Sequence, residues 1–226
     1  MRLTPIGRLD KSRFGAESLE RPALIRFGTR WRLYVSCATP ASKHWRIDVL
    51  EASEPERLLD ADARTVFAGD SVTGVKDPVI RPTVDGWEAW ICCHPLDVAG
   101  DEDRMTTSYA TSVDGIDWRR HGTVLAGRPG MWDARGARVT AVLSDGRFAY
   151  DGRATKQENF SERSGLGRRA GDVLEATNQA PFAPVRYVDV VELPGGGWRA
   201  WYEAPLPDGG HELRTELVRA DFGSPI

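Results

Sequence analysis

The chain has 226 residues, of which 41% are hydrophobic and 28% charged, a composition typical of a soluble globular protein that excludes a disordered one. A chain of this length can bury one sizeable core. Its formal net charge of -3 argues against a general nucleic-acid surface, because phosphate binding requires an excess of basic residues. Nearly all of the positive charge is arginine, since lysine occurs only at Lys11, Lys43, Lys76 and Lys156.

The three cysteines, Cys37, Cys92 and Cys93, do not form a disulfide framework, and no Cys/His spacing resembles a zinc site. The stretch MRLTPIGRLDKSRFG lacks the apolar segment of a signal peptide, and no apolar run reaches membrane-spanning length. We therefore expect a cytoplasmic protein with reduced thiols, and neither nucleic acid nor a membrane as its partner.

Four similar segments recur along the chain. Each contains a strand, a Gly-containing turn and a second strand, and most add a loop and a third strand. The Asp85-Gly86 turn is a strong hairpin signal. In chain order, the predicted strands cover residues 23–27, 31–37, 45–50, 79–80, 87–92, 105–112, 138–143, 147–150, 187–193, 198–203 and 213–218.

Two longer stretches between the strands carry no clear strand pattern. Residues 52–70 are predicted to be a connection in which Ser53 and Glu56 cap one short helical turn. Residues 153–180 are polar and Gly-rich, which predicts loops with at most one strand and a short helix.

A repeat of about 50 residues is the length of a propeller blade. The sequence therefore predicts an all-β fold, a five-bladed β-propeller of which four blade repeats are visible, as a single domain over residues 1–226. Residues 1–19 and the C-terminal tail would complete a fifth blade, or close the fourth by pairing the termini. A β-sandwich is the alternative, but it leaves the repeat unexplained.

Several short motifs resemble those of the five-bladed β-propeller glycosidases, the fold of glycoside hydrolase families 32, 43, 62, 68 and 130. The matching pieces are KDPVI at residues 76–80, TSVDGIDW at 111–118, YDG at 150–152, and the strands that end in YVSCA and WYEA. The TSVDGIDW phrase also resembles the Asp-box turn of sialidase propellers. The resemblance implies a central funnel that binds a sugar.

The resemblance also implies an acidic residue at the start of each of the first three blades, which together serve as base or nucleophile, transition-state stabiliser and general acid. Asp77, before Pro78, matches the second of these positions. In the first blade Arg21 takes the aligned place and Glu20 lies one residue away. In the third blade Asp133 is the nearest acid, with no Glu at the strand start.

Further carboxylates extend the candidate set. Asp151 in the YDG motif is a fourth catalytic candidate, with an ordinary turn aspartate as the alternative. Glu158 and Glu203 are candidates for substrate binding, with solvated surface charges as the alternative. The alternative for Asp133 is a salt-bridged junction between blades, formed with Arg135 and Arg138.

Arginines and one tryptophan complete the predicted binding site. Arg21, Arg138 and Arg186 are expected at similar positions in three repeats, where their guanidinium groups would bind an anionic sugar through paired hydrogen bonds. The alternative is that they neutralise the neighbouring aspartates. Trp132 precedes a strand and would offer its ring to a sugar face.

The sequence leaves three functions open. The first is a glycosidase-like enzyme that cleaves a small, perhaps anionic, glycoside or oligosaccharide by carboxylate acid–base catalysis. The second is a non-catalytic carbohydrate-binding propeller, and the third is an isomerase or lyase acting on a carboxylated small molecule. No cofactor or metal site is indicated, although calcium occurs in some relatives, and a monomer or simple homo-oligomer is expected.

Overall fold

The structure is a computed structural model that describes residues 5–171 and 173–218. Consecutive strands lie side by side in each of its four sheets, which have four, four, four and three strands. The described residues also contain three short 3₁₀ helices, at Lys11–Phe14, Pro55–Leu59 and Lys156–Glu158. Within the described residues the protein is therefore an all-β propeller with four blades, which correspond to the four repeats visible in the sequence.

The chain divides into two compact units. The first contains Met1–Glu102 and Ser108–Gly122, and the second contains Asp103–Thr107 and Thr123–Ile226. Each unit has its own apolar core, described below. The single domain predicted over residues 1–226 stays a prediction.

The first unit carries the first blade and most of the second. Tyr34, Ile47 and Ile91 are fully buried in its core, where the apolar faces of the strands meet. A second cluster around Phe14 and Leu50 joins the N-terminal 3₁₀ helix to the first blade. The strands of these two blades are β1 Leu19–Phe27, β2 Arg30–Ala38, β3 Trp45–Ala52, β4 Arg64–Phe67, β5 Thr73–Thr83, β6 Gly86–Pro95, β7 Thr106–Ser112 and β8 Trp118–Leu125.

The second unit carries the third and fourth blades. Alternate side chains of their strands, among them Ala149, Val188 and Tyr202, meet in one buried apolar cluster. The strands are β9 Gly136–Val142, β10 Arg147–Arg153, β11 Arg163–Ala170, β12 Val173–Ala176, β13 Arg186–Glu192, β14 Trp198–Pro205 and β15 His211–Val218.

The TSVDGIDW segment forms the compact turn that its sequence predicts. The Asp114 carboxylate accepts the backbone N–H groups of Ile116 and Asp117 at 2.8 and 2.9 Å. These backbone hydrogen bonds lower the pKa of Asp114 to about 2. Trp118 then packs its ring 5.3 Å from that of Phe67, which anchors the turn on the core.

The prediction for residues 153–180 is wrong, because two strands, β11 and β12, lie there instead of at most one. The sequence hides β11 because glycines stand where a buried strand would carry apolar side chains. Aromatic rings of β10 fill these places: a Cβ at Gly165 would lie 2.5 Å from the Tyr150 ring, and one at Gly167 2.3 Å from the Phe148 ring. The apolar groups that cover β11 are therefore the aromatic side chains of its neighbour, β10.

The connection predicted at residues 52–70 also contains more order than expected. A 3₁₀ helix spans Pro55–Leu59, but its N-cap is Glu54, whose side chain makes no capping hydrogen bond, so the predicted cap by Ser53 is wrong. Strand β4 follows at Arg64–Phe67 and completes the first blade.

A fifth blade stays a prediction. Within the described residues, positions 5–18 form one 3₁₀ turn and no strand, and the C-terminal tail, residues 219–226, lies outside the described part of the chain together with residues 1–4 and 172. The three cysteines are buried and form no disulfide with one another. No helix in the described part of the chain is long and apolar enough to cross a membrane.

Candidate functional site

Two carboxylates and one ammonium group meet in the first unit, in a group that we name the Lys76 cluster (Glu20, Lys76, Asp77). Lys76 Nζ donates a hydrogen bond to Glu20 Oε2 at 2.5 Å and lies 3.8 Å from Asp77 Oδ1. The ammonium group also lies 4.0 Å from the centroid of the Trp45 ring. The structure thus brings together two of the predicted catalytic residues, Glu20 and Asp77.

The members of the Lys76 cluster differ in their access to solvent. Asp77 is 0% exposed and Lys76 is 7% exposed, whereas the side chain of Glu20 is 41% exposed. A buried carboxylate requires a partner charge, which Lys76 supplies. Glu20 is therefore the member that a ligand in solvent can reach.

Asp77 stands on strained backbone. Its φ is 51°, in the left-handed region that costs a residue with a side chain about 1–2 kcal/mol. The pairing of β5 with β6 shifts at this point, between Lys76 and Val79. The Asp77 N–H, turned out of the ladder, donates to Ser36 Oγ on β2 at 2.8 Å. Strain of this kind persists only where the surrounding structure holds it, and it is often found at functional sites.

The bulge beside Asp77 recurs in the first strands of two other blades, at Arg21 with φ 42° and at Tyr187 with φ 55°. Arg21, Arg138 and Arg186, which were expected at similar positions, therefore do not share one ladder position. Arg21 is equivalent to Asp77 and Tyr187 in the other blades. Arg138 and Arg186 lie one ladder position before the equivalent residue of their own strands. The residues at that earlier position and their cross-strand partners are Glu20 with Ser36, Lys76 with Cys92, Arg138 with Asp151, and Arg186 with Glu203.

The second unit contains a buried network that we name the arginine cluster (Arg138, Arg153, Arg186, Asp151, Glu162). Arg138 Nη2 donates to Asp151 Oδ2 at 2.8 Å and lies 3.9 Å from Glu162 Oε1. Arg153 and Arg186 each approach Glu162 to 3.4 Å. Asp151 is 0% exposed and Arg138 2% exposed, so these charges are removed from water and depend on one another.

Glu162 is held ionised in this cluster. Burial by itself would raise the pKa of its carboxyl, but the charges of Arg138 and Arg153, a backbone hydrogen bond and the charge of Arg186 outweigh burial and bring the pKa below its ordinary value. A carboxyl of this kind does not serve as a general acid near neutral pH, because it has already lost its proton.

Asp151 joins the third and fourth blades within the second unit. Both of its carboxylate oxygens accept the backbone N–H of Tyr187, at 3.1 and 3.0 Å, and Ser164 Oγ lies 3.3 Å from Oδ1. The arrangement parallels that of Ser36 and Asp77, because a second-strand side chain of one blade again holds the N–H of a positive-φ residue in the next. The predicted site residue Asp151 thus has a clear role in holding the backbone.

Asp133 and Trp132 lie elsewhere in the second unit, around Tyr150. Asp133 is 0% exposed and accepts hydrogen bonds from Arg128 Nε and from the Tyr150 hydroxyl, both at 2.8 Å. Burial, and then the hydrogen bond to Asp133, raise the pKa of Tyr150. Trp132 stacks on Tyr150 at 5.5 Å, and Arg163 lies 5.7 Å from its ring, so the indole that was expected to bind a sugar already has ring and guanidinium neighbours.

Glu158 and Glu203, the two glutamates that were predicted to bind substrate, each pair with an arginine. Glu158 closes the capping box of the 3₁₀ helix and accepts a hydrogen bond from Arg163 at 2.9 Å. Glu203 accepts one from Arg186 Nε at 2.8 Å, with its side chain 35% exposed. Glu203 therefore borders the arginine cluster, whereas Glu158 has a local structural role.

Sequence reasoning missed Lys76 and Arg153 as members of these clusters, and Tyr187 as the residue whose N–H binds Asp151. Lys76 could have been found, because it is one of only four lysines in an arginine-rich chain and precedes the strongest motif residue. Arg153 follows Asp151 by two residues on the same strand, which places both on one face. Nothing in the sequence marks the positive φ of Tyr187. Within the described residues, no group of three or more His, Cys, Asp or Glu side chains could hold a metal ion.

No protein-family model and no curated protein matches the chain. Among solved structures, the chain is similar to a β-1,2-mannobiose phosphorylase from Listeria innocua, with 13% identity, a TM-score of 0.65, and coverage of 88% of this chain and 58% of that one. An α-L-arabinofuranosidase from Lactobacillus brevis has 13% identity, a TM-score of 0.66 and coverage of 92% and 76%. An α-L-arabinofuranosidase from Podospora anserina has 11% identity, a TM-score of 0.61 and coverage of 93% and 67%.

These similarities establish the fold. The chain resembles the β-propeller glycosidases in structure, as its short motifs predict. It spans less than two thirds of the length of the mannobiose phosphorylase.

Proposed function

We propose that the protein is a glycosidase-like propeller that acts on a small glycoside or oligosaccharide, with Glu20 and Asp77 as its working carboxylates. The observation that carries this proposal is the Lys76 cluster, in which one ammonium group contacts both carboxylates. The similarity in fold to an arabinofuranosidase and a mannobiose phosphorylase supports a carbohydrate as the substrate.

The contacts of Lys76 set an upper limit on the separation of the two carboxylates. Glycoside hydrolysis uses a pair of carboxyl groups, about 5–5.5 Å apart in retaining enzymes and about 6.5–9.5 Å apart in inverting ones. Because Lys76 Nζ lies 2.5 Å from Glu20 and 3.8 Å from Asp77, their nearest oxygens cannot be farther apart than these two distances together. That limit includes the retaining separation and lies below the inverting range.

The roles follow from exposure. In this proposal Glu20, the partly exposed member, acts as the carboxylate nucleophile or as the base that activates water. Asp77 and Lys76 are buried behind it and set its charge and orientation. Ser36 and the bulge fix Asp77, so that the cluster needs no rearrangement when substrate arrives.

The test is release of chromophore from a panel of aryl glycosides, including uronides and sialosides. We expect turnover by the wild type to fall about 10²–10⁴-fold in Glu20→Gln, and Asp77→Asn to lower the rate and shift its pH profile. Asp48→Asn is the matched control, because Asp48 is a 3% exposed carboxylate of the same unit that binds Arg46 outside the cluster. This control should lose stability but keep its turnover. Turnover that survives both cluster variants would exclude the proposal.

A second candidate function is carbohydrate binding without catalysis. It is supported by the second unit, where the predicted acids are each paired with an arginine: Asp133 with Arg128, Asp151 with Arg138, and Glu203 with Arg186. In the same panel, this function would give no turnover on any sugar but a rise in melting temperature with a bound oligosaccharide.

A further inference from the structure

The fourth blade ends in an open edge. Its sheet has three strands where the other three sheets have four. In the part of the chain that the structure describes, β15 pairs with β14 on one side and with no strand on the other. An edge strand of this length offers a row of backbone donors and acceptors to another strand.

The residues that face the open edge follow from the hairpin turn. The hydrogen bond from Leu206 N to Gly210 O begins the ladder, and hydrogen-bonded pairs of an antiparallel ladder recur at every second residue. The backbone groups of Arg214 and Glu216 therefore point to β14. Those of Leu213, Thr215 and Leu217 point outward.

Strand β15, with the sequence HELRTELV, is complementary to itself in the antiparallel direction. With Thr215 opposite Thr215 of a second copy, Leu213 lies opposite Leu217, and Arg214 lies opposite Glu216. Each of the last two pairs occurs twice because of the two-fold symmetry. Arg214 and Glu216 fall at non-hydrogen-bonded positions, where side chains of opposite strands approach most closely.

The exposure of the leucines fits such a partner. Leu213 and Leu217 are 69% and 54% exposed, on one face of the strand. Moving the two-fold axis by one residue, to Arg214 or to Glu216, places Arg214 opposite Arg214 or Glu216 opposite Glu216, which like-charge repulsion disfavours. The side chains of β15 thus favour pairing with a second copy of the same strand, in the register that places Thr215 opposite Thr215.

We propose that two copies of this chain associate by antiparallel pairing of their β15 strands about a two-fold axis at Thr215. The pairing joins two three-stranded sheets into one sheet of six strands. It is independent of the proposed catalytic function, because β15 contains none of the candidate site residues.

The first test is a charge exchange, followed by analytical ultracentrifugation of the full chain over a concentration series. The wild type should pass from monomer to dimer as its concentration rises. Glu216→Arg should raise the dimer dissociation constant about tenfold or more, because two attractive pairs become repulsive. The double variant Arg214→Glu with Glu216→Arg should restore the wild-type constant, which a merely structural effect of either substitution would not do.

A second test uses the direction of the backbone groups. Thr215→Pro removes an N–H that points outward, so it should abolish the dimer and leave the melting temperature within a few degrees of wild type. Arg214→Pro removes an N–H that bonds to β14 and should unfold the sheet. A wild type that is monomeric at every concentration would overturn the proposal. A large loss of melting temperature in a monomeric Thr215→Pro would likewise overturn it, because another segment of the same chain would then occupy the edge.

Discussion

Within the arginine cluster, Glu162 is the residue that balances the charges of several buried guanidinium groups. Glu162 lies within 4 Å of three guanidinium groups, those of Arg138, Arg153 and Arg186. Removing one member of a buried ion pair costs more than the pair contributes, because the partner charge is left without compensation. Removing the charge of Glu162 therefore tests how much this cluster stabilises the second unit.

Glu162→Gln should lower the free energy of unfolding by about 3 kcal/mol at neutral pH. Its folded pKa lies below that of the unfolded chain, so its stabilisation is complete above the unfolded pKa and is lost as the pH falls through the folded one. The difference between wild type and variant should therefore shrink as the pH is lowered, and disappear once Glu162 is protonated. Urea titrations at a series of pH values measure it.

Glu158→Gln is the control for this prediction. Its partner Arg163 is about as exposed as Glu158 itself, 31% against 32%, so the pair is worth less than about 1 kcal/mol. If the difference in unfolding free energy between wild type and Glu162→Gln stayed constant from neutral to acid pH, the carboxylate charge of Glu162 would not be what stabilises the fold.

At the level of elements, turns and bulges hold several residues at positive φ. Within the described residues, five positions other than glycine have positive φ. Arg21, Asp77 and Tyr187 lie in bulges of first strands. At Asp77 and Tyr187 the backbone N–H leaves the ladder and donates to a side chain of the preceding blade. Ala41 is different, because it is exposed in the turn between β2 and β3.

Ala41→Gly should raise the free energy of unfolding by about 0.5–1 kcal/mol. Alanine at φ 55° is strained by its Cβ, whereas glycine adopts this conformation freely. The gain from removing this strain exceeds the entropy that glycine adds to the unfolded chain. Thermal and chemical unfolding of the variant measure the change.

Ala63→Gly is the matched control, because Ala63 is also exposed but is not at positive φ. Here glycine only makes the unfolded chain more flexible, so stability should fall by about 0.5–1 kcal/mol. If the two variants changed stability in the same direction, backbone strain at Ala41 would not be the cause.

For the whole molecule, the balance of charge governs solubility. The net charge of -3 corresponds to an isoelectric point of about 5.9. Proteins repel one another least near this pH, so solubility at low salt should pass through a minimum there. Precipitation measured across a pH series tests this expectation.

Val84 offers a matched pair of variants for the solubility minimum, since it is fully exposed at a hairpin turn. Val84→Glu adds a negative charge and should move the minimum to lower pH. Val84→Gln has a similar size without the charge and should leave it unchanged. A minimum that moved equally in both variants would reflect lost apolar surface instead of charge.

The sequence by itself determined the class of fold and most of the strands. These follow from local signals, because alternation of apolar side chains, Gly-containing turns and a repeat of about 50 residues are each readable within one blade. The TSVDGIDW turn was predictable for the same reason, since its hydrogen bonds join residues only two to five positions apart.

The tertiary structure decided which charged residues meet. Lys76 reaches Glu20 across 56 positions of the chain, and Tyr187 meets Asp151 across 36. These contacts depend on bulges that shift the ladder by a residue, and thereby separate Arg21 from Arg138 and Arg186. They depend also on glycines of β11 that give room to rings of β10. Both are properties of paired strands, so a single strand's pattern cannot reveal them.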